Sequence, residues 1–537
     1  MAEKVIRRGR NIDTTTGNIW KQLLLFAIPI LITNFLQQLY GSVDMIILGK
    51  YGPDNSLAAV GTTTALTNIL LGLFVGVATG ASVVLSQSYG AGDSKGMHKS
   101  VHSTMFLGVA SGAILTVVGI FASRPLLELL NCPPELIESA STYMEVIFLG
   151  MIPMGVYNMG SAILRSIGDS KRPLYFLIVA AITNIIFDYI FVAWFKWGVA
   201  GAAAATILSQ TVAAVLSTYI LMNANDSYRL YFRDIRPYKE SSREIIRIGL
   251  PAGMQSVVVS ASNTLIQSQV NNFGVYAVEG YSAGNRIDGF YYMSVNAFSV
   301  AATTFVGQNM GAKKYDRVKK GSNVALALGI MVCIILGIFL YAFRVQVLEI
   351  FNIKPESMPY GVFMMVINAI FYSVFGIGDV LSGAVRGAGK SNFPMISATV
   401  NLFVLRLFWI YGIQYFFPTF EAIYWGYVVS WTGQAIMMST YYLSKRWLPE
   451  EARAKRIANS SDDDTSLITS NVSSEDEEYL KELEHHYEES IELADLEKAS
   501  SEAEFEEDYI IESSEDPIHV KNMHASGYRF GKLPGEE

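Results

Sequence analysis

Residues 23–48 read LLLFAIPILITNFLQQLYGSVDMIIL, and the reading of this stretch decides the fold. About 20 helical residues, each rising ~1.5 Å, cross the ~30 Å hydrocarbon layer of a bilayer, so the stretch is long enough to span it. Two of its residues do not suit simple anchorage. Pro29 removes a backbone donor and is placed to bend the helix as a hinge, and Asp44 puts an ionisable carboxyl into an apolar span. Thr33, Gln37, Tyr40 and Asp44 follow at three- and four-residue steps and therefore share one helix face. A polar stripe of this kind faces a protein or water-filled interior, as in a transport path.

Working outward, apolar segments recur at about residues 58–85, 101–122, 143–163, 173–194 and 200–222. A polar linker over 223–244 follows. Six more segments lie at about 245–273, 278–306, 322–343, 359–385, 393–416 and 422–443. The expected fold is therefore an all-α polytopic membrane protein of twelve transmembrane helices. Hydrophobic residues make up 51% of the 537-residue chain and charged residues only 16%, a membrane profile. The net charge of -8 is misleading, because the charge is segregated. From residue 457 onward there are 24 acids and five Lys/Arg, so the first 456 residues hold 24 acids against 35 bases.

Those bases set an orientation. With the N-terminus inside, 28 Lys/Arg fall in inside segments and five (Lys50, Arg124, Lys196, Arg344, Lys354) outside, so both termini are expected to be cytoplasmic, with the chain in the plasma (inner) membrane. Cys132 and Cys333 are about 200 residues apart and have no metal-type spacing. No phosphate loop, HExxH pair or nucleophile elbow occurs, so the reading is of a non-enzyme without a cofactor, driven by an ion gradient or by a separate partner.

Sliding the chain by 221 residues exposes an internal repeat. LSQSYGAGDSK (85–95) falls on VGQNMGAKKYD (306–316), pairing Gln87 with Gln308 and Gly90 with Gly311. ILRSIGDSKRP (163–173) falls on AVRGAGKSNFP (384–394), pairing Arg165 with Arg386 and Gly168 with Gly389. Six spans separate the copies, so both halves have one orientation, and the pseudo-two-fold axis is expected along the membrane normal. The expected domains are a cytoplasmic arm (1–22), a six-helix lobe (23–223), a cytoplasmic linker (224–244), a second six-helix lobe (245–446) and an acidic, solvated tail (447–537).

In the first lobe, Asn184 and Asp188 lie one turn apart in TNIIFDYIF, at the same expected depth as Asp44 and Thr206. Two carboxylates, an amide and a hydroxyl form a set of hard oxygens suited to a proton or an alkali cation. Packing between helices is the competing role for the same acids. The second lobe does not copy this set. Arg286, Asp288 and Arg406 sit within its spans and need partners on other helices. Gln37, Tyr40, Tyr291 and Tyr292 are candidates, with those three, for lining a cavity between the lobes where aromatic faces meet flat cations. Asp379, near the inner end of the tenth span, reads equally as an interfacial acid. His485 and His486 in the tail stand beside carboxylates as a weak metal pair, and the tail is a candidate for an unknown binding partner.

In this order across twelve spans, Pro29 with SVDMIILG, the paired Gln-x-x-Gly-Ala loops, ILRSIGDSKRP and NIIFDYIF resemble the multidrug and toxic compound extrusion (MATE) family, in particular its bacterial DinF/NorM-like members. The resemblance covers about residues 20–447. It implies two six-helix lobes in a V that alternate between outward- and inward-open forms, and antiport of organic cations or toxic compounds against incoming H⁺ or Na⁺. It also implies that Asp44, Asn184, Asp188 and Thr206 form a first-lobe cation site and that Pro29 is where the first helix bends. The acids that NorM-like members use in the seventh and tenth helices are not clearly reproduced. The expected partners are a small-molecule substrate and membrane lipids, with no nucleic acid. A lipid-linked saccharide flippase of the same superfamily is the alternative, and it would favour a broadly basic cavity. A polytopic membrane enzyme and a passive channel are more distant readings.

Overall fold

Twelve membrane-crossing helices make up the chain in a computed structural model that describes residues 12–129, 132–351 and 353–452. The tail beyond Ala452, with His485 and His486, lies outside the described residues, as does the start of the arm. The first six crossings are α1 (Ile19–Tyr51), α2 (Ser56–Ala91), α3 (Ser94–Leu129), the pair α4 (Pro134–Leu149) and α5 (Met151–Ser166), α6 (Lys171–Asp188) and α7 (Gly198–Met222). The second six are α8 (Lys239–Val270), α9 (Val275–Gly311), α10 (Tyr315–Ala342), α12 (Met358–Gly387), the pair α13 (Asn392–Ala398) and α14 (Arg406–Phe416), and α15 (Phe420–Leu443). A short α11 (Arg344–Glu349) joins α10 to α12.

Eight of these crossings are apolar enough on their own, and α4 with α5, bent by 49°, makes a ninth. The remaining three, α2, α9 and α15, run for 36, 37 and 24 residues, each long enough to cross. α2 packs on α8 and α9, and α15 packs on α12. The single span expected over 143–163 is thus a bent pair broken at Gly150. Pro29 does not interrupt α1, which is helical throughout Ile19–Tyr51; the Thr33 hydroxyl donates to the Pro29 carbonyl at 2.7 Å.

Turn chemistry sets the helix ends. Gly92 ends α2 in the left-handed region at φ 71°, and the Asp93 carboxylate then accepts from the Gly96 N–H at 2.8 Å to start α3. Asp169 does the same for α6, accepting from Lys171 and Arg172 N–H, each at 3.1 Å. In each half one crossing changes to π-helical winding, at Tyr189–Trp194 after α6 and at Thr399–Leu405 between α13 and α14. Such bulges widen a helix locally and release backbone groups, and they are frequent at functional sites.

The halves form two lobes, and the seam between them closes at one end. At the loop ends of α2 and α9 the repeated glutamines cross the seam as two-fold mates: Gln87 Nε2 donates to Gly387 O at 3.0 Å, and Gln308 Nε2 donates to Ser166 O at 2.6 Å. The repeated glycines let this happen. A Cβ on Gly90 would stand 1.8 Å from Gln308 O, and one on Gly311 1.9 Å from Gln87 O. Further along, Gly76 and Gly80 rest directly on the backbone of Gly249 and Gly253. About halfway along α1 the Phe35 ring meets Phe290 at 5.6 Å, and Asn34 Nδ2 donates to Met293 O at 3.3 Å. Beyond that depth no hydrogen bond or ring contact joins the lobes among the described residues, so the polar and aromatic contacts of the seam are gathered towards the basic-loop end.

Both ends of the described chain lie at the closed end. Thr14 contacts Gln308, and the Tyr315 hydroxyl donates to Glu451 at 3.3 Å. The packed body extends past the expected boundary at 446, because Trp447 and Leu448 are 1% exposed and Trp447 stacks on Tyr442. α8 likewise begins at Lys239, inside the expected linker, which instead docks on α3: Tyr231 N–H donates to His102 Nε2 and Tyr238 N–H to Ser103 Oγ.

Candidate functional site

In the first lobe α1, α6 and α7 bring the expected polar set together. Asn184 Nδ2 donates to one Asp44 oxygen at 3.3 Å and the Thr206 hydroxyl to the other, also at 3.3 Å. α6 carries Asp188 one turn beyond Asn184, immediately before the π-helical segment. Asn184 and Asp188 are both fully buried. Neither Asp188 oxygen has a hydrogen-bond partner among the described residues, and neither does Asn184 Oδ1. Burying an ionised carboxylate without a donor is costly, which sets Asp188 apart from Asp44. The three unpartnered oxygens all belong to α6, while Asp44, with a donor on each oxygen, is already partly compensated.

Tyr40, on the stripe of α1, lies next to Asp44 and Tyr157 and within hydrogen-bond reach of Gln210, and Tyr143 approaches both Asp44 and Tyr40. The sequence reading did not single out Tyr143 or Gln210. Gln210 could have been found, since it lies one turn after Thr206; Tyr143 has the look of an ordinary aromatic on an apolar segment. Gln37 is exposed, on the open side of α1.

The second lobe holds a different arrangement. Arg406, only 3% exposed, donates to Ser430 Oγ (2.9 and 3.1 Å), Ser262 Oγ (3.0 Å) and Asn263 Oδ1 (3.1 Å), with its guanidinium over the Tyr427 ring at 4.4 Å. Asp288 accepts from Asn368 Nδ2 at 3.1 Å, and Asn368 accepts from the Tyr424 hydroxyl at 2.8 Å. Arg286, two residues away, is exposed and points elsewhere. Of the two neighbouring tyrosines, only Tyr292 faces open space. Tyr291 is 1% exposed and stacks on Tyr372 at 4.7 Å, so it and Arg406 are packed in the interior of the lobe. Asp379 lies near Tyr292, with one oxygen buried and unpartnered.

Cys132 and Cys333 are free and buried. One cluster among the described residues has metal-like spacing: His98, His102 and Asp234, at the basic-loop end. Its hydrogen bonds give it another use. His102 Nε2 accepts from the Tyr231 N–H at 3.0 Å, and Nδ1 lies 2.7 Å from the His98 carbonyl, so both ring nitrogens are engaged, one by the linker and one by the backbone of α3 itself.

Comparison with known proteins agrees with this architecture. The MatE family profile matches residues 29–190 and again 251–411, one match in each lobe. The chain is 30% identical to the "Probable multidrug resistance protein YpnP" of Bacillus subtilis, over 73% of this chain and 88% of that protein. It is 26% identical to the "Probable multidrug resistance protein NorM" of Thermotoga maritima, over 80% and 93%. Among solved structures, a MATE transporter in its straight conformation superimposes with a TM-score of 0.76 at 23% identity, covering 83% of this chain and 99% of that one. The same scores hold for the bent conformation. With one family match per six-helix lobe and a relative 30% identical over most of both chains, the chain belongs to the MatE family of multi-pass membrane transporters.

Proposed function

We propose that this transporter is a cation-coupled antiporter that exports organic cations and related toxic compounds across the plasma membrane by alternating access. The observation that carries the reading is the fully buried Asp188, with both oxygens unpartnered, one turn from the amide that holds Asp44. A group in that state gains most from an incoming H⁺ or Na⁺, and the ion discharges a buried carboxylate without covalent chemistry. The substrate cavity is the cleft between the lobes, with Tyr40, Gln37, Arg286 and Tyr292 along it. The multidrug names of the relatives support a drug-like substrate, and the carboxylates beside the cleft favour a cationic one. The basic loops and both ends of the described chain share one end of the bundle, which supports a cytoplasmic assignment for that end. The other end then faces outward, and the gathering of cross-seam contacts at the basic-loop end supports reading this as the outward-open form.

Antiport requires ion and substrate to favour different conformers. Ion uptake at Asp44 and Asp188 from outside would reshape the α1–α6 contact and lower the affinity of the adjoining cleft for substrate. The test is export of a fluorescent organic cation from proteoliposomes under a proton gradient or a sodium gradient imposed separately. Export driven by one gradient and lost in Asp44→Asn is expected. Equal export with no gradient, or unchanged driven export in Asp44→Asn, overturns the reading.

A further inference from the structure

The arm before α1 does more than connect. Residues 13–17 cross the closed end of the seam and are bound chiefly by the opposite lobe. The Thr14 hydroxyl donates to Gln308 Oε1 at 2.6 Å, and Asn309 Nδ2 donates to Thr14 O at 3.1 Å. Arg317 donates to Thr14 O (2.8 Å), Gly17 O (2.9 Å), Thr16 O (2.7 Å) and Gln22 Oε1 (2.7 Å), and Lys314 Nζ donates to Thr15 O at 2.8 Å. Towards its own lobe the arm is held at Ile12, whose N–H donates to Gly168 O at 3.3 Å. Gly168 tolerates this because it has no Cβ; one there would lie 2.2 Å from Ile12 O, and its φ of +87° is a glycine conformation. Thr14 and Thr15 are 2% and 6% exposed, so the segment is built into the seam.

Gln308 is shared between two structures. Its Nε2 makes the cross-seam bond to Ser166 O, and its Oε1 takes Thr14. Its two-fold mate Gln87 makes the equivalent bond to Gly387 O, and among the described residues no arm residue bonds the other side of its amide. The duplicated loops alone therefore close the seam symmetrically, and the arm adds a third, asymmetric fastening. We propose that residues 13–17 are a strap across the inner gate, with Thr14, Gln308 and Arg317 as its latch, and that the strap must leave the second lobe before the basic-loop end can open. Arg317 is the main fastener because four carbonyl-type oxygens converge on its guanidinium, and bonds from a charged donor are the strong class.

The proposal rests on alternating access but not on the identity of ion or substrate, and its test uses neither. Spin labels at exposed Lys95→Cys and Lys320→Cys, one in each lobe at the closed end, report the gate distance in full-length protein in nanodiscs. Arg317→Gln is expected to raise the ratio of long to short distances about tenfold, the effect of losing one charge-assisted fastening. Thr14→Val, which removes one hydroxyl and tests the latch if the first variant does not fold, is expected to shift it in the same direction by less. A latch leaves the unfolding midpoint nearly unchanged while the distances move. A lowered midpoint with unchanged distances in both variants makes the arm mere packing and overturns the proposal. Unchanged distances in both variants overturn the proposal whatever the midpoint does, whereas the expected shift in distances alongside failed ion-driven export in the unmodified protein counts against the antiport reading alone.

Discussion

The two lobes share a fold and a repeat, yet the first lobe's Asp188 and the second lobe's Arg406 are buried in opposite ways. In the second lobe Arg406 is saturated by two serines, an asparagine and an aromatic face, and Asp288 has its amide partner. In the first, Asp188 has no partner for either oxygen among the described residues. A satisfied network fixes one packing, whereas an unsatisfied acid is sensitive to whatever cation reaches it. Duplication supplied two similar scaffolds, and the difference between them lies in a few polar side chains on the α6 and α13–α14 crossings. Both groups sit beside a π-helical turn, Asp188 just before one and Arg406 just after the other, so the backbone device alone does not decide the role.

The sharpest way to break this comparison is Asp188→Asn. It keeps the shape and removes the ionisable group, and it should reduce gradient-driven export in proteoliposomes at least about a hundredfold with little change in folding. Retained driven export would make the unpartnered acid structural, like Arg406. Next in size are the glycines where the lobes are truly equivalent. Gly90→Ala and Gly311→Ala each force a methyl into the opposite loop's carbonyl, and both should abolish the closed seam to a similar degree, read as the same loss of the short distance between gate labels. A large effect from one and none from the other would show that the clasp is not a working two-fold.

Arg406→Met comes third. It leaves Asn263 and two serines without their donor and should cost about 3 kcal/mol, seen as a lowered thermal midpoint. Transport per folded molecule should be retained, the reverse of the pattern for Asp188→Asn. Loss of transport with normal stability would move Arg406 from the core into the substrate path.

Much of this was legible in the sequence because membrane physics leaves few choices. Apolar length marked the crossings, the 221-residue repeat paired the lobes, and the polar residues Asp44, Asn184, Asp188 and Thr206 stood out from apolar surroundings at one inferred depth. What could not be read depended on contacts between distant segments. Tyr291 and Tyr292 look alike in sequence, and only packing shows that one faces Tyr372 and the other open space. The break at Gly150 lies inside an unbroken apolar run. The arm reads as a polar lead-in, NIDTTTGN, because its partners Gln308 and Arg317 lie some 300 residues away.

The smallest effect tests how far the unsatisfied site extends. Tyr40 lies near Asp44, Tyr157 and Gln210, so its hydroxyl belongs either to the proposed ion site or to the proposed cleft. Tyr40→Phe keeps the ring and removes one hydrogen bond, worth about 1 kcal/mol, or about fivefold in an equilibrium. If the hydroxyl helps position Asp44, the ion dependence of export shifts by that factor while the apparent affinity for an organic cation stays constant. If it contacts substrate, affinity changes and the ion dependence does not. The first result widens the first-lobe site towards the basic-loop end and increases its contrast with the second lobe; the second confines ion chemistry to Asp44, Asn184, Asp188 and Thr206.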